Sequence, residues 1–140
     1  MIRAQPEANM KQCFTWPVRV YYEDTDSGGV VYYANYLKFF ERARTEWLRN
    51  FGLNQDKLAR EQGLIFVVHR ATLDFVRPAR LDDMLDVTVE PLKRARVYVE
   101  LAQEARRGGE LLARAEVRVA CLRQRDFKPV AIAQLLGDAL

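Results

Sequence analysis

At 140 residues the chain has room for one domain and not for a second core of ordinary size. Its 49% hydrophobic and 29% charged content supports a packed interior under a solvated surface and excludes a disordered chain. The net charge of +3 comes from arginines spread along the chain rather than from a basic tail, which argues against nucleic acid and suits an anionic small molecule.

Residues 1–12 read as an N-terminal tail, partly flexible, because Pro6, Glu7 and Asn9 leave no apolar signal core. No stretch approaches the ~20 apolar residues of a membrane span, so the expected location is the cytoplasm and the protein is not expected to span a membrane. A single domain is expected over 13–133, followed by a C-terminal extension over 134–140. Phe14 to Tyr22 is rich in aromatic and β-branched residues and predicts a strand, with Pro17 marking an edge or a bulge. Glu23 to Gly29 is turn chemistry, with two aspartates, Asp24 and Asp26, and two glycines, Gly28 and Gly29, in seven residues.

From Tyr33 to Phe51 the period becomes helical: Tyr36, Phe40, Ala43, Trp47 and Phe51 recur at steps of three and four, widened by Leu37 and Leu48. Such a helix would be roughly 28 Å long at ~1.5 Å per residue. A shorter helix is predicted from Asn54 to Gln62. Strands follow over Ile65 to Phe75 and Met84 to Leu92, around Val97, Val99 and Leu101, and over Leu111 to Leu122. Gly108 and Gly109 fall where a hairpin should turn, and Arg125 to Pro129 ends the last strand. These elements predict an α+β fold: a curved antiparallel sheet of five strands, or slightly more, in hairpin order after the helix and wrapped around it. The exposed sheet edges predict oligomerisation.

Several chemistries lack support. Cys13 and Cys121 are too few for a disulfide framework and have no CxxC spacing. His69 is the only histidine, and no Gly-x-Ser-x-Gly sequence occurs, which removes the usual serine hydrolase signature. Asp24, Asp26 and Gly29 imitate the start of a calcium loop, but Asn35 stands where its closing glutamate belongs. On chemistry alone, an aspartate-rich turn before a helix reads first as a turn and N-cap.

The segment from Val18 to Arg49 changes that reading. Tyr-Glu-Asp-Thr-Asp at 22–26, the Gly28-Gly29 pair, Val30-Val31-Tyr32, Ala34-Asn35-Tyr36 and Glu41-Arg42-Ala43-Arg44 stand in order, and Phe75 to Asp83 adds a second stretch. In these motifs the chain resembles the YbgC-type branch of the 4-hydroxybenzoyl-CoA thioesterase family, hot-dog proteins that hydrolyse acyl-CoA thioesters. The resemblance implies that Asp26 is the catalytic carboxylate, as general base or nucleophile, with the Tyr33 backbone N–H polarising the thioester carbonyl. Gly28, Gly29, Val30, Tyr32 and Tyr36 are the substrate-binding candidates, and no metal or cofactor is expected beyond the coenzyme A of the substrate itself. Close members usually carry histidine where this chain has Tyr33, so the expected help from that position is confined to the backbone.

Asp24 is expected to be structural, and Glu41 to pair with Arg42 or Arg44 or to make a subunit contact. Arg77, Arg80, Lys93, Arg94 and Lys128 are the cations available for coenzyme A phosphates. The resemblance also implies a homo-oligomer, a dimer of dimers, and names acyl carrier protein and the Tol–Pal or phospholipid-synthesis proteins as further partners. Two other readings stand beside it: a non-catalytic acyl-binding scaffold, and an aspartyl-phosphate phosphatase, which would need a parallel sheet.

Overall fold

The computed structural model describes residues 13–132 and Leu135; the tail expected over 1–12 and the rest of the extension over 134–140 lie outside the described residues. Among the described residues one strand is followed by two α-helices and then by four strands: β1 (Phe14–Arg19), α1 (Asn35–Asn50), α2 (Gln55–Gln62), β2 (Leu64–Phe75), β3 (Met84–Arg94), β4 (Tyr98–Arg107) and β5 (Glu110–Arg123). They form one sheet in the order β1-β3-β4-β5-β2, with every pairing antiparallel. This is the α+β, five-stranded arrangement expected from the sequence. An all-antiparallel sheet also removes the phosphatase reading.

One expectation is corrected. β3, β4 and β5 follow one another as hairpins, but β2 crosses the sheet to pair with β5 instead of β3. Alternation marks a strand and its buried face; it carries no information about which neighbour the strand chooses. The crossing segment after Phe75 is held because the Val76 and Arg77 N–H groups both donate to Leu112 O, at 2.8 and 3.0 Å. β1 and β2 are therefore the sheet's two edges. Pro17 lies in β1 opposite Asp86, where an edge strand tolerates a missing donor. At the β4–β5 turn both Gly108 (φ 56°) and Gly109 (φ 87°) take the left-handed conformations that a tight hairpin demands.

α1 buries Tyr36, Phe39, Phe40, Ala43, Trp47 and Leu48 against the face of the sheet built by Leu85, Val87, Val89, Val99 and Leu101. Phe39 extends the predicted stripe, whereas Leu37 lies outside it and is exposed. The helix begins at Asn35 rather than Tyr33 because Tyr32 is still tied to the preceding turn, its N–H donating to Asp24 O at 3.0 Å. Gln103, fully buried on β4, donates to the Phe40 carbonyl at 3.0 Å and accepts from Arg44 at 2.9 Å, fastening α1 to the sheet. α2 starts as predicted: the Asn54 side chain caps the Lys57 N–H at 2.9 Å, and Gly63 closes the helix at φ 67°.

Candidate active site

The turn that carries Asp26 is a miniature hairpin. Thr25 bridges Val31 antiparallel, the Asp26 N–H donates to Val30 O at 2.9 Å, and the Gly29 N–H donates to Asp26 O at 3.0 Å. Asp26 Oδ1 accepts the Gly28 N–H at 2.8 Å, which orients the carboxylate from its own loop. Its Oδ2 has no hydrogen-bond partner among the described residues, and the side chain is exposed. Gly29 needs its missing side chain, since it sits at φ 80°.

Tyr33 follows at the entrance of α1. The first turns of the helix bond from Asn35 to Tyr32 O (2.8 Å), Tyr36 to Tyr33 O (3.3 Å) and Leu37 to Ala34 O (3.2 Å). The Tyr33 N–H therefore donates to no acceptor among the described residues, at the positive end of the helix dipole.

A buried scaffold holds the turn in place. Asp24, buried, accepts the Tyr21 N–H on its carboxylate at 2.7 Å and the Asn35 side-chain amide on its carbonyl at 2.9 Å, which is the structural part expected for it. Val31 donates its N–H to Ala79 O at 2.8 Å, and Val30 bridges Arg80. Ala79 in turn donates to the Tyr36 hydroxyl at 3.1 Å. Tyr36 is 3% exposed, and burial raises its phenol against the lowering effect of that bond. The helix thus reaches the Asp26 turn through one segment, Phe75 to Asp83. Its far end is clamped by Asp83, which accepts the Arg80 N–H at 2.8 Å and Arg107 at 2.7 Å. Burial alone would raise the Asp83 carboxyl, but these two partners hold it below the ordinary value.

Three exposed rings, Tyr32, Tyr33 and Phe75, cluster at the entrance of α1. Tyr33 lies 4.9 Å from Tyr32 and meets Phe75 edge-on at 5.9 Å, and Phe75 also touches Tyr36 at 5.6 Å. Phe75 and Ala79 were not singled out from the sequence, although both lie within the Phe75–Asp83 stretch that carried the resemblance. Their contacts with α1 span some forty residues, so no local pattern could show them.

Other candidates lie elsewhere. Glu41 is two turns into α1, about 12 Å along the axis from Tyr33, and accepts from Thr45 at 2.6 Å. His69 sits at the bulge of β2, edge-on to Tyr98 at 6.2 Å. Cys121 is fully buried, and burial pushes its thiol up to about 11, the property of an inert cysteine. Cys13 precedes β1, at the opposite edge of the sheet from His69, so the two do not form a nucleophile–base pair.

Comparisons with known proteins bear on the family and the fold. A family model described as the thioesterase-like superfamily matches residues 20–140. The acyl-CoA thioesterase YbgC of Haemophilus influenzae is 48% identical over 118 residues, covering 84% of this chain and 87% of that protein. The acyl-CoA thioester hydrolase YbgC of Escherichia coli is 46% identical over 120 residues, with 85% and 89% covered. Among solved structures, a probable thioesterase from Bartonella henselae superposes with a TM-score of 0.81 at 35% identity, over 86% of this chain and 98% of its own.

Proposed function

This chain belongs to the thioesterase-like superfamily, and from that premise we propose that it hydrolyses acyl-CoA thioesters, with Asp26 as the working carboxylate. The observation that carries the reading is a carboxylate fixed through one oxygen, followed in the chain, at the entrance of α1, by a backbone N–H that has no acceptor among the described residues. The free oxygen of Asp26 takes a proton from a water that attacks the thioester carbon, or attacks that carbon itself. The second course gives a mixed anhydride, which water then hydrolyses to the free acid and the regenerated carboxylate. The Tyr33 N–H stabilises the oxygen of that carbonyl as negative charge develops, a contribution typically worth ~3 kcal/mol. The C–S bond then breaks, and the thiolate leaves and is protonated. Gly28, Gly29, Val30 and Tyr32 border the reacting carbon, with Tyr36 supporting them from below. No cofactor is required, because coenzyme A enters as part of the substrate.

The unpaired edge of β2 and the exposed aromatic rings support a homo-oligomeric working form. A dimer of dimers acting in the cytoplasm is the form proposed from the family resemblance. The test is free-thiol release from a panel of short-chain and aromatic acyl-CoA substrates and acyl carrier protein thioesters. Asp26→Asn is expected to lower turnover by roughly 10²–10⁴-fold at unchanged oligomeric state. Wild-type turnover in this variant would end the assignment of Asp26. A wild-type protein that releases no thiol from any of them would favour a non-catalytic acyl-binding role.

A further inference from the structure

Arg44 is a half-buried cation on α1 without a counter-ion. Burial lowers its pKa from the ordinary value, against the raising effect of Glu41. A guanidinium carries five N–H donors, and the one bond Arg44 makes among the described residues runs from Nη1 to the neutral Gln103 amide oxygen at 2.9 Å. No carboxylate of the described residues stands within 4.0 Å of it. Glu41, nearly one turn closer to the helix start, accepts the Thr45 hydroxyl at 2.6 Å, and Thr45 accepts the Gln55 amide at 3.1 Å. Holding a charge out of water with no ion partner is costly, so an unmet guanidinium in this position favours the arrival of an anion.

The surroundings of Arg44 say what kind of anion fits. It borders a cavity of about 210 Å³ between α1, α2 and the sheet, walled by Trp47, Leu48, Phe66, Val99, Leu101 and Val119. Glu41, Arg44 and Val68 also line a groove that runs past Phe40 and Ala71 to Leu37 and Leu73. Leu37 lies one turn beyond Tyr33, and Leu73 shares a face of β2 with Phe75, whose ring meets Tyr33 at 5.9 Å. The groove therefore leads from the entrance of α1 to Arg44, where it meets the cavity. The guanidinium is drawn back along the helix, because the Gln103 side chain it bonds also donates to the Phe40 carbonyl. At the level of Phe40 it stands ~10 Å along the axis from Tyr33. A hydrocarbon chain that starts at a thioester beside Tyr33 has apolar walls along this path and one buried cation at its end.

We propose that Arg44 pairs with a carboxylate at the far end of the acyl chain, so that the site favours monothioesters of medium-chain dicarboxylic acids. This rests on the thioesterase reading of Asp26. The experiment compares acyl-CoA substrates of six, eight and ten carbons with their ω-carboxylated counterparts. At one of these lengths the wild-type kcat/KM should be about tenfold higher for the ω-carboxylated substrate, equivalent to ~1.4 kcal/mol. Arg44→Met, similar in length and uncharged, should reverse that preference, and Arg44→Lys should restore part of it. Lys38→Gln, exposed on the same groove, should keep it. A wild type that shows no preference for the carboxylate at any length overturns the inference without recourse to a variant. So does an Arg44→Met protein of wild-type mass and melting temperature that retains the wild-type preference. Failure of the wild type to release thiol from any of these thioesters would instead overturn the thioesterase reading.

Discussion

A methyl group at Gly28 would crowd the carboxylate: a Cβ built there would sit 3.2 Å from Asp26 Oδ1, the atom that accepts the Gly28 N–H, and that oxygen would have to give by a few tenths of an ångström. The crowding acts on the carboxylate and not on the core, since the turn is exposed. Gly28→Ala should therefore lower kcat by about tenfold, or ~1.4 kcal/mol of barrier, while the melting temperature changes little. Steady-state kinetics beside a thermal melt would check it, and an unaltered kcat would show that the carboxylate can shift without cost. The residues of this turn were legible in the sequence because their chemistry is local: Asp26 bonds two positions along, and Gly29 answers a backbone requirement of its own. Tyr36 was legible only in part. Its place on the buried stripe followed from helical period, but its hydroxyl meets a backbone N–H 43 residues away.

That contact belongs to a larger unit, in which α1 holds the Phe75–Asp83 segment and the segment holds the Asp26 hairpin. The links run from the Tyr36 hydroxyl to the Ala79 N–H, and from Ala79 O to the Val31 N–H. Tyr36→Phe keeps the ring and its contacts with Phe39 and Phe75 but leaves the Ala79 N–H buried and unpaired. An unsatisfied buried donor costs about 1–3 kcal/mol, so unfolding by denaturant should show a loss in that range. Because the strain is passed to the turn, kcat should fall severalfold with KM held near wild type. A stability loss with wild-type kcat would mean that the segment supports the fold alone. Most element boundaries were readable to within two or three residues because turns and glycines announce them, but β4, marked only at Val97, Val99 and Leu101, runs on to Arg107. The position of β2 was not, because an edge strand and its long crossover follow from packing across the whole sheet.

At the scale of the whole molecule, β2 leaves one side of the sheet unpaired along twelve residues. Beside it runs a groove whose walls are Leu37 and Phe40 from α1, Val68, Ala71 and Leu73 from β2, and Val117 from β5. Leu37 is 48% exposed and Val68 45%, so this apolar surface and the open edge meet solvent together. Each is a liability for a lone protomer, and one event, docking of a second copy, would cover both. Leu37→Glu is the discriminating change. The side chain is exposed within the protomer, so folding should survive, but a carboxylate would have to be desolvated if the groove closes against another chain. Sedimentation should show the mass falling to half or less of the wild-type value, with thioesterase activity falling in step if the site is completed between chains. A variant that keeps the wild-type mass would place the oligomeric contact on another surface and leave this groove open to substrate.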